Sequence, residues 1–208
     1  MVGMSIANKL ISVGHDVQMG ARDANNEKAL SWARQVGPQA SNGTFASAAM
    51  WGDVIVNCTA GMHSLAALGI AGAVNMRGKV LIDIANPLDF SRGTTPVLSV
   101  ANDSSLAEQI QAAFPESRVV KTLNTMNHEI MVNPTKLQGS HLVFVCGNDV
   151  QAKQFVSGLL MDFGWKPEQI MDLGDLTAAR ATEMYMPLWL RLFQNLQSGD
   201  FNIQLSKP

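Results

Sequence analysis

The sequence predicts an α/β fold: a doubly wound, mostly parallel sheet followed by a C-terminal helical segment. Three observations predict it. Short runs rich in β-branched residues alternate with stretches of helical periodicity. The runs Asp53–Cys58, Val80–Ile84 and His141–Cys146 are apolar without strict alternation, as strands covered on both faces are. Parallel strands need crossover connections, and these are right-handed, which leaves a doubly wound sheet as the economical topology.

The elements follow in order. Ser5–Val13 is predicted as a helix with Ile6, Ala7, Leu10 and Ile11 as its apolar positions, and Gly14 stops it. Asp16–Met19 is a short strand ending at Gly20. Asn26–Val36 is a helix broken by Gly37-Pro38, and Thr44–Met50 is a short amphipathic helix. Strand Asp53–Cys58 leads to helix Ser64–Ala73. Strand Val80–Ile84 lies between the turn residues Gly78-Lys79 and Asn86-Pro87. Helix Leu106–Ala113 and strand Arg118–Thr122 follow. The Pro/Gly/Asn cluster Asn133–Gly139 is a loop before strand His141–Cys146. Helix Ala152–Phe163, an edge strand at Gln169–Leu173 and a long helix from Leu176 to Leu196 complete the chain.

Residues 1–148 are expected to form one domain, with 149–208 an appended segment that is not an independent domain. The last helix carries Met184, Met186, Leu188, Trp189, Leu190, Leu192 and Phe193, so it is apolar almost all round, and Pro187 should kink it. Burial against a second subunit is the expectation, giving a homodimer. The alternative is that Met and Trp wall a pocket.

Composition narrows the function. The chain has 208 residues, 47% hydrophobic and 15% charged, with a net charge of -2. Bulk charge therefore argues against nucleic acid or an anionic membrane surface as a partner. No apolar run reaches the ~18 residues of a membrane span. No charged stretch followed by a long apolar one marks a signal peptide, so the cytoplasm is expected. Cys58 and Cys146 have no metal-ligand spacing; both are expected to be buried thiols in strands, and no metal site is expected.

Phosphate affinity must then come from a local site. A dinucleotide-binding unit opens with a strand, a G-x-G-x-x-G loop and a helix. This chain opens M-V-G and enters a helix at once, with Gly3 where the third glycine belongs, the one that permits close helix–strand packing. The first strand and first two glycines have no counterpart, so the sheet is expected to close in some other way, such as through a partner chain. Gly14-His15-Asp16-Val17 turns into the second strand, which runs out into Gly20-Ala21-Arg22-Asp23. An acidic residue at that tip would hold the ribose 2′-OH of NAD. Here the position is Ala21 or Arg22, and Arg22 can pair bidentately with a 2′-phosphate, which favours NADP(H). A solvated surface arginine is the plain alternative. Asp23 blurs the choice, although one residue later it suits a helix cap.

Five segments, M-V-G-M-S-I-A-N-K-L, G-H-D-V-Q-M-G-A-R-D, I-D-I-A-N-P-L-D-F, V-V-K-T-L-N-T-M-N and P-L-W-L-R-L-F, span nearly the whole chain in order. In these it resembles the 8-hydroxy-5-deazaflavin-dependent NADP oxidoreductases and their dinucleotide-binding relatives. The resemblance implies a Rossmann-type, NADP(H)-binding domain over residues 1–148. The family's loop looks like G-T-G-x-V-G, and Val2-Gly3 match its last two positions. It also implies that the segment Thr59–His63 covers the pyrophosphate and nicotinamide ribose, and that L-N-T-M-N lines the pocket of a second substrate. The residue chemistry is compatible. Thr59 can donate a hydroxyl beside Ala60, and Gly61 admits close backbone approach. Asn86 offers a donor and an acceptor, and Pro87 fixes the exit of the chain. Both segments also read as ordinary turns. Asn124, Thr125 and Asn127 place polar side chains just after a buried strand, which a core would not choose.

His128 is a weak catalytic candidate, more commonly a hydrogen-bonded structural residue, and His63 is read the same way. His15 and His141 look structural. No Ser–His–Asp set, metal cluster or paired carboxylates stands out. That fits hydride transfer between two bound cofactors, where the protein supplies proximity and alignment. With NADPH and a deazaflavin or flavin as co-substrate, no protein acid is required. A keto substrate would need His63, His128 or Tyr185. The expectation is an NADP(H)-dependent oxidoreductase with a flavin-like or deazaflavin acceptor. The alternatives are an NADPH-dependent flavin or metal-ion reductase, a protein that senses NADP(H) without turnover, and a structural role.

Overall fold

In the computed structural model, residues 1–91, 93 and 95–206 are described. The chain enters α1 (Val2–Ser12) directly. Left-handed Gly14 ends that helix, with its N–H on the Ile11 carbonyl and that of His15 on Leu10, a Schellman closure. Then come β1 (Val17–Ala21), α2 (Glu27–Val36), β2 (Ala40–Thr44), α3 (Phe45–Trp51) and β3 (Val54–Asn57). Helices α4 (Gly61–Ala71) and α5 (Ala73–Met76) lead to β4 (Val80–Asp83). Short β5 (Leu88–Asp89) and β6 (Val97–Leu98) pair as an antiparallel ribbon. They are followed by α6 (Leu106–Ala113), β7 (Arg118–Thr122), α7 (His128–Val132), β8 (Val143–Gly147), α8 (Val150–Asp162) and β9 (Ile170–Asp172). The C-terminal segment ends in α9 (Ala179–Met184) and α10 (Met186–Leu196). Asn26, Thr44, Ser105, Asn127 and Asp149 cap α2, α3, α6, α7 and α8 through their side chains, which is why those helices start where they do.

The main sheet has the order β3-β4-β7-β8-β9. All its pairs are parallel except β7–β8. Neighbouring residues along the central strands face opposite cores. Ile82, Val120 and Val145 pack with Val156, Leu160 and Trp165. Leu81, Val119 and Cys146 pack with Leu68, Met76 and Ile110. This two-sided burial is the doubly wound arrangement the unalternating runs predict.

The sheet does not close. β1 pairs only with β2, and β3 pairs only with β4, so two strand edges remain open. A slot of about 680 Å³ lies between them, lined by Val17, Met19, Val54 and Val56, with Ile6 and Leu10 of α1 also in its wall. All of β1 and most of β3 are only half-buried, whereas β4 is fully buried. Among the described residues of the single chain, no strand fills the slot.

Other expectations need correction. β2 (ASNGT) is polar and has little strand propensity; its pairing with β1 imposes the conformation. The β5–β6 ribbon and α7 are additional elements. The long C-terminal helix is broken at Tyr185, because Pro187 lacks an N–H to continue the ladder and instead occupies the first turn of α10. Cys146 is buried in β8 as expected, but Cys58 lies just beyond β3 and is half-buried.

Candidate functional site

A cavity of about 530 Å³ opens beyond the carboxyl ends of β3, β4 and β7, where a parallel sheet places its ligands. Its walls bring together Val2, Thr59, Ala60, Gly61, Asn86 and Asn124 of the sequence-predicted set. His63 also reaches it, on the exposed side.

Asn86 and Asn124 are locked to each other. The Asn86 amide donates to the Asn124 carbonyl at 2.8 Å, and the Asn124 amide donates to Asn86 Oδ1 at 2.9 Å. This clamp joins the ends of β4 and β7. The residue before Asn124, Leu123, is buried and held at φ 63, a left-handed conformation that a bulky side chain rarely adopts. Each amide carries a second N–H that this pair does not use.

The Thr59 hydroxyl, in contrast, is already engaged. It donates to Asn57 Oδ1 at 2.7 Å and meets Ser64 Oγ at 2.8 Å. Gly61 is required by the protein itself: a Cβ there would stand 2.0 Å from the Asn86 carbonyl oxygen and 2.9 Å from Pro87 Cα. Ala60 is the N-cap residue of α4 and gives no side-chain bond. Pro87 sends its carbonyl to the Ser99 N–H, tying the turn to the ribbon.

The first turn of α1 stands between the two cavities, with Val2 on the pocket and Gly3 on the slot. Among the described residues no side chain caps α1, so its leading N–H groups can face an anion. A Cβ on Gly3 would meet Cys58 Cβ at 3.5 Å, an ordinary contact; the close packing expected of that glycine is not demanded here. Ala21 ends β1, and Arg22 follows it on the exposed surface.

Thr125, Asn127 and His128 do not line the cavity. Thr125 is buried, Asn127 caps α7, and His128 Nδ1 bonds Ser5 Oγ at 2.9 Å, tying α7 to α1. His141 is structural, with Nε2 on the Pro134 carbonyl and its ring edge-on to Trp165. Tyr185 is half-buried, and that burial raises its phenol pKa, making it a poorer acid.

On the opposite wall, Met126 and Met131 were not assigned from sequence, and Met186 and Trp189 only as an alternative to a subunit contact. Met126, Met131, Met186 and Trp189 line it. Trp189 stacks between Phe193 and Phe201, with ring centroids 5.5 and 5.4 Å away. Its indole N–H is buried without a partner among the described residues. The all-round apolar pattern of the last helix had allowed a pocket wall only as the lesser alternative.

Beneath the cavity lies a buried charge cluster. The Lys121 ammonium meets Asp83 Oδ2 at 2.7 Å and Glu183 Oε1 at 2.8 Å, and it donates to the Ala85 carbonyl. All three side chains are essentially inaccessible. Burial favours the neutral amine, but the two carboxylates outweigh it and hold the Lys121 pKa above its ordinary value. Burial, with Asp83 nearby, pushes the Cys58 thiol up to about 12, so it is no nucleophile at neutral pH. Among the described residues no group of His, Cys, Asp and Glu is arranged to hold a metal ion, and no helix is long and apolar enough to cross a membrane.

The chain is similar to several known proteins. The family model for coenzyme F420-dependent NADP oxidoreductases matches residues 1–87. A crystal structure of a candidate F420-dependent NADP reductase from Arthrobacter sp. FB24 superposes with a TM-score of 0.93 at 44% identity, covering 99% of this chain and 95% of that one. The F420-dependent NADP reductase of Methanocaldococcus jannaschii is 29% identical over 135 residues, 63% of this chain and 58% of that protein. The metalloreductase STEAP3 of Rattus norvegicus is 26% identical over 190 residues, 89% of this chain but 35% of that protein. The chain thus spans a little over half of one of these curated relatives and about a third of the other.

Proposed function

The chain belongs to the family of F420-dependent NADP oxidoreductases, and from that premise we propose that it binds NADP(H) and serves hydride transfer between the nicotinamide and a flavin-like or deazaflavin ring. The observation that carries this reading is the cavity at the carboxyl ends of β3, β4 and β7. It has one polar edge, Asn86 and Asn124, and one thioether and indole wall, Met126, Met131, Met186 and Trp189. Its volume, about 530 Å³, falls in the range of small-molecule sites.

The residues fit such ligands. The indole N–H of Trp189 is a buried donor without an acceptor among the described residues, and a carbonyl-bearing ring would supply one. The free N–H groups of the Asn86–Asn124 clamp suit the nicotinamide amide. The leading N–H groups of α1 suit the pyrophosphate, and Arg22 suits a 2′-phosphate. When bound, NADPH supplies the hydride and the acceptor ring takes it up. The protein's part is to align the two rings and keep water out with the apolar wall. No protein acid needs to act in such a transfer.

Mixing the protein with NADPH and an 8-hydroxy-5-deazaflavin, or with a flavin, in a stopped-flow spectrometer tests this. Coupled loss of NADPH and acceptor absorbance is expected; no spectral change with either acceptor would sink the proposal. The similarity to the rat metalloreductase supports a second reading, in which the electrons pass to a flavin or a metal ion, and acceptor screening separates the two. The exposed apolar residues Leu188, Phe193 and Leu196 of α10 support a homodimer built on that helix.

A further inference from the structure

The Asp83–Lys121–Glu183 cluster joins parts of the chain that are remote in sequence. Asp83 ends β4, Lys121 lies in β7, and Glu183 belongs to α9 of the C-terminal segment. Each N–H of the ammonium has its own acceptor: Asp83, Glu183 and the Ala85 carbonyl. The third bond holds the peptide immediately ahead of Asn86.

The carboxylates extend the cluster in two directions. Asp83 Oδ1 accepts from Asn57 Nδ2 at 2.8 Å, and Asn57 in turn holds Thr59 and Ser64. Glu183 accepts the Leu106 and Ala107 N–H groups at 2.8 and 3.2 Å, at the N-terminus of α6. Met186 is one turn beyond Glu183, and Trp189 follows on the same segment. One buried unit therefore reaches three walls of the cavity: the Thr59–Gly61 turn, the Ala85–Asn86 turn and the Met186–Trp189 wall.

A hydrophobic replacement of similar volume would stabilise a core at least as well as a buried ion pair does. Stability alone thus gives no reason for three charges at this place. We propose that Asp83, Lys121 and Glu183 form an ionic latch that sets the position of the Met186–Trp189 wall against the Asn86 turn, so that the three act as positioning residues for the ligand cavity. The proposal rests on the reading of that cavity as the NADP(H) and acceptor site.

The test uses protein labelled with 5-fluorotryptophan, in which four fluorine resonances report Trp32, Trp51, Trp165 and Trp189. Trp189→Phe assigns the Trp189 line. Glu183→Gln preserves shape and can still accept from the α6 backbone but loses its charge; Lys121→Met removes the latch. In both, the Trp189 line shifts and broadens while the Trp32 line, held by Asn8 beyond the slot, stays in place. NADPH affinity falls about tenfold in the same variants. If Lys121→Met does not fold, Glu183→Gln alone decides the matter. A folded Glu183→Gln protein with an unmoved Trp189 line overturns the latch, as does a moved line with wild-type NADPH affinity. If the wild-type protein binds no NADPH, the reading of the site fails, while the ligand-free fluorine spectrum still judges the latch itself.

Discussion

Replacing Gly61 by alanine separates two reasons for a glycine at the rim of the cavity. The sequence suggests that it admits close approach of a ligand. The structure shows that it admits close approach of the protein: an added Cβ would stand 2.0 Å from the Asn86 carbonyl oxygen, 2.5 Å from its carbon and 2.9 Å from Pro87 Cα. An ordinary C···O contact needs ~3.3 Å, so α4 and the β4 turn must part by roughly 1.3 Å. The obstructing atoms are backbone, and no side chain can swing aside. Inserting a methyl group into a packed site costs about 1–3 kcal/mol, and this geometry belongs at the upper end. At ~2–4 °C per kcal/mol for a chain of this size, Gly61→Ala should lower Tm by roughly 6–12 °C. Displacing the Asn86 carbonyl also disturbs the Asn86–Asn124 clamp, so NADPH affinity should fall with stability. Differential scanning calorimetry and an NADPH titration measure the two effects. A variant melting within 2 °C of wild type would refute the steric argument, whatever its affinity.

Three further outcomes are expected. Arg22→Glu should weaken NADPH binding by roughly ten- to a hundredfold, the worth of a charge-assisted contact, and leave NADH nearly unchanged, as titration calorimetry with both nucleotides would show. Burial pushes the Cys146 thiol up to about 12, so the fold keeps a proton that the unfolded chain releases above about pH 9. Its contribution is complete below that pH and is lost as pH rises towards 12; the unfolding free energy from urea melts should fall by about 1.4 kcal/mol more between pH 8 and pH 10 in the wild type than in Cys146→Ala. Leu188→Asp with Phe193→Asp should shift a dimer to a monomer in light scattering, since both residues sit exposed on α10; an unchanged mass would remove that helix as the contact.

Much of the scaffold was legible because burial on both faces writes itself into the strands. Asp53–Cys58, Val80–Ile84 and Arg118–Thr122 needed no tertiary context to be read, and each lies within a residue or two of an observed strand. β2 was illegible because its residues have no strand preference and its partner alone imposes the pairing. At the site, the clamp residues Asn86 and Asn124 stood out as polar groups after buried strands. Thr125 and Asn127 stood out for the same reason, yet one is buried and the other caps a helix; chain position does not say where a side chain turns. Met186 and Trp189 of the facing wall read first as a subunit contact, because an apolar helix suits either burial. Lys121 passed unread inside the buried run V-V-K-T, because its meaning depends on Glu183, 62 positions later.

The two ends of the proposed reaction are encoded in different parts of the chain. The family model matches residues 1–87, which contain Arg22, Thr59, Gly61 and Asn86. The wall facing them, Met126, Met131, Met186 and Trp189, lies entirely outside that span. If nucleotide choice sits in the first part and acceptor choice in the second, the two should be separable. Trp189→Ala removes the stacked indole and its unpartnered N–H, opening the wall where an acceptor ring would rest. Loss of such a stacking surface costs ~1–3 kcal/mol, judging from base–aromatic stacks, or about five- to a hundredfold in acceptor KM. The NADPH-to-NADH preference should remain that of the wild type. Arg22→Glu should do the reverse, and the double variant should show both losses independently, since residues that share no partner add. Steady-state kinetics with each nucleotide and each acceptor would show it. A change of nucleotide preference in Trp189→Ala would mean that the wall holds the nucleotide as well, and the division of labour would fail.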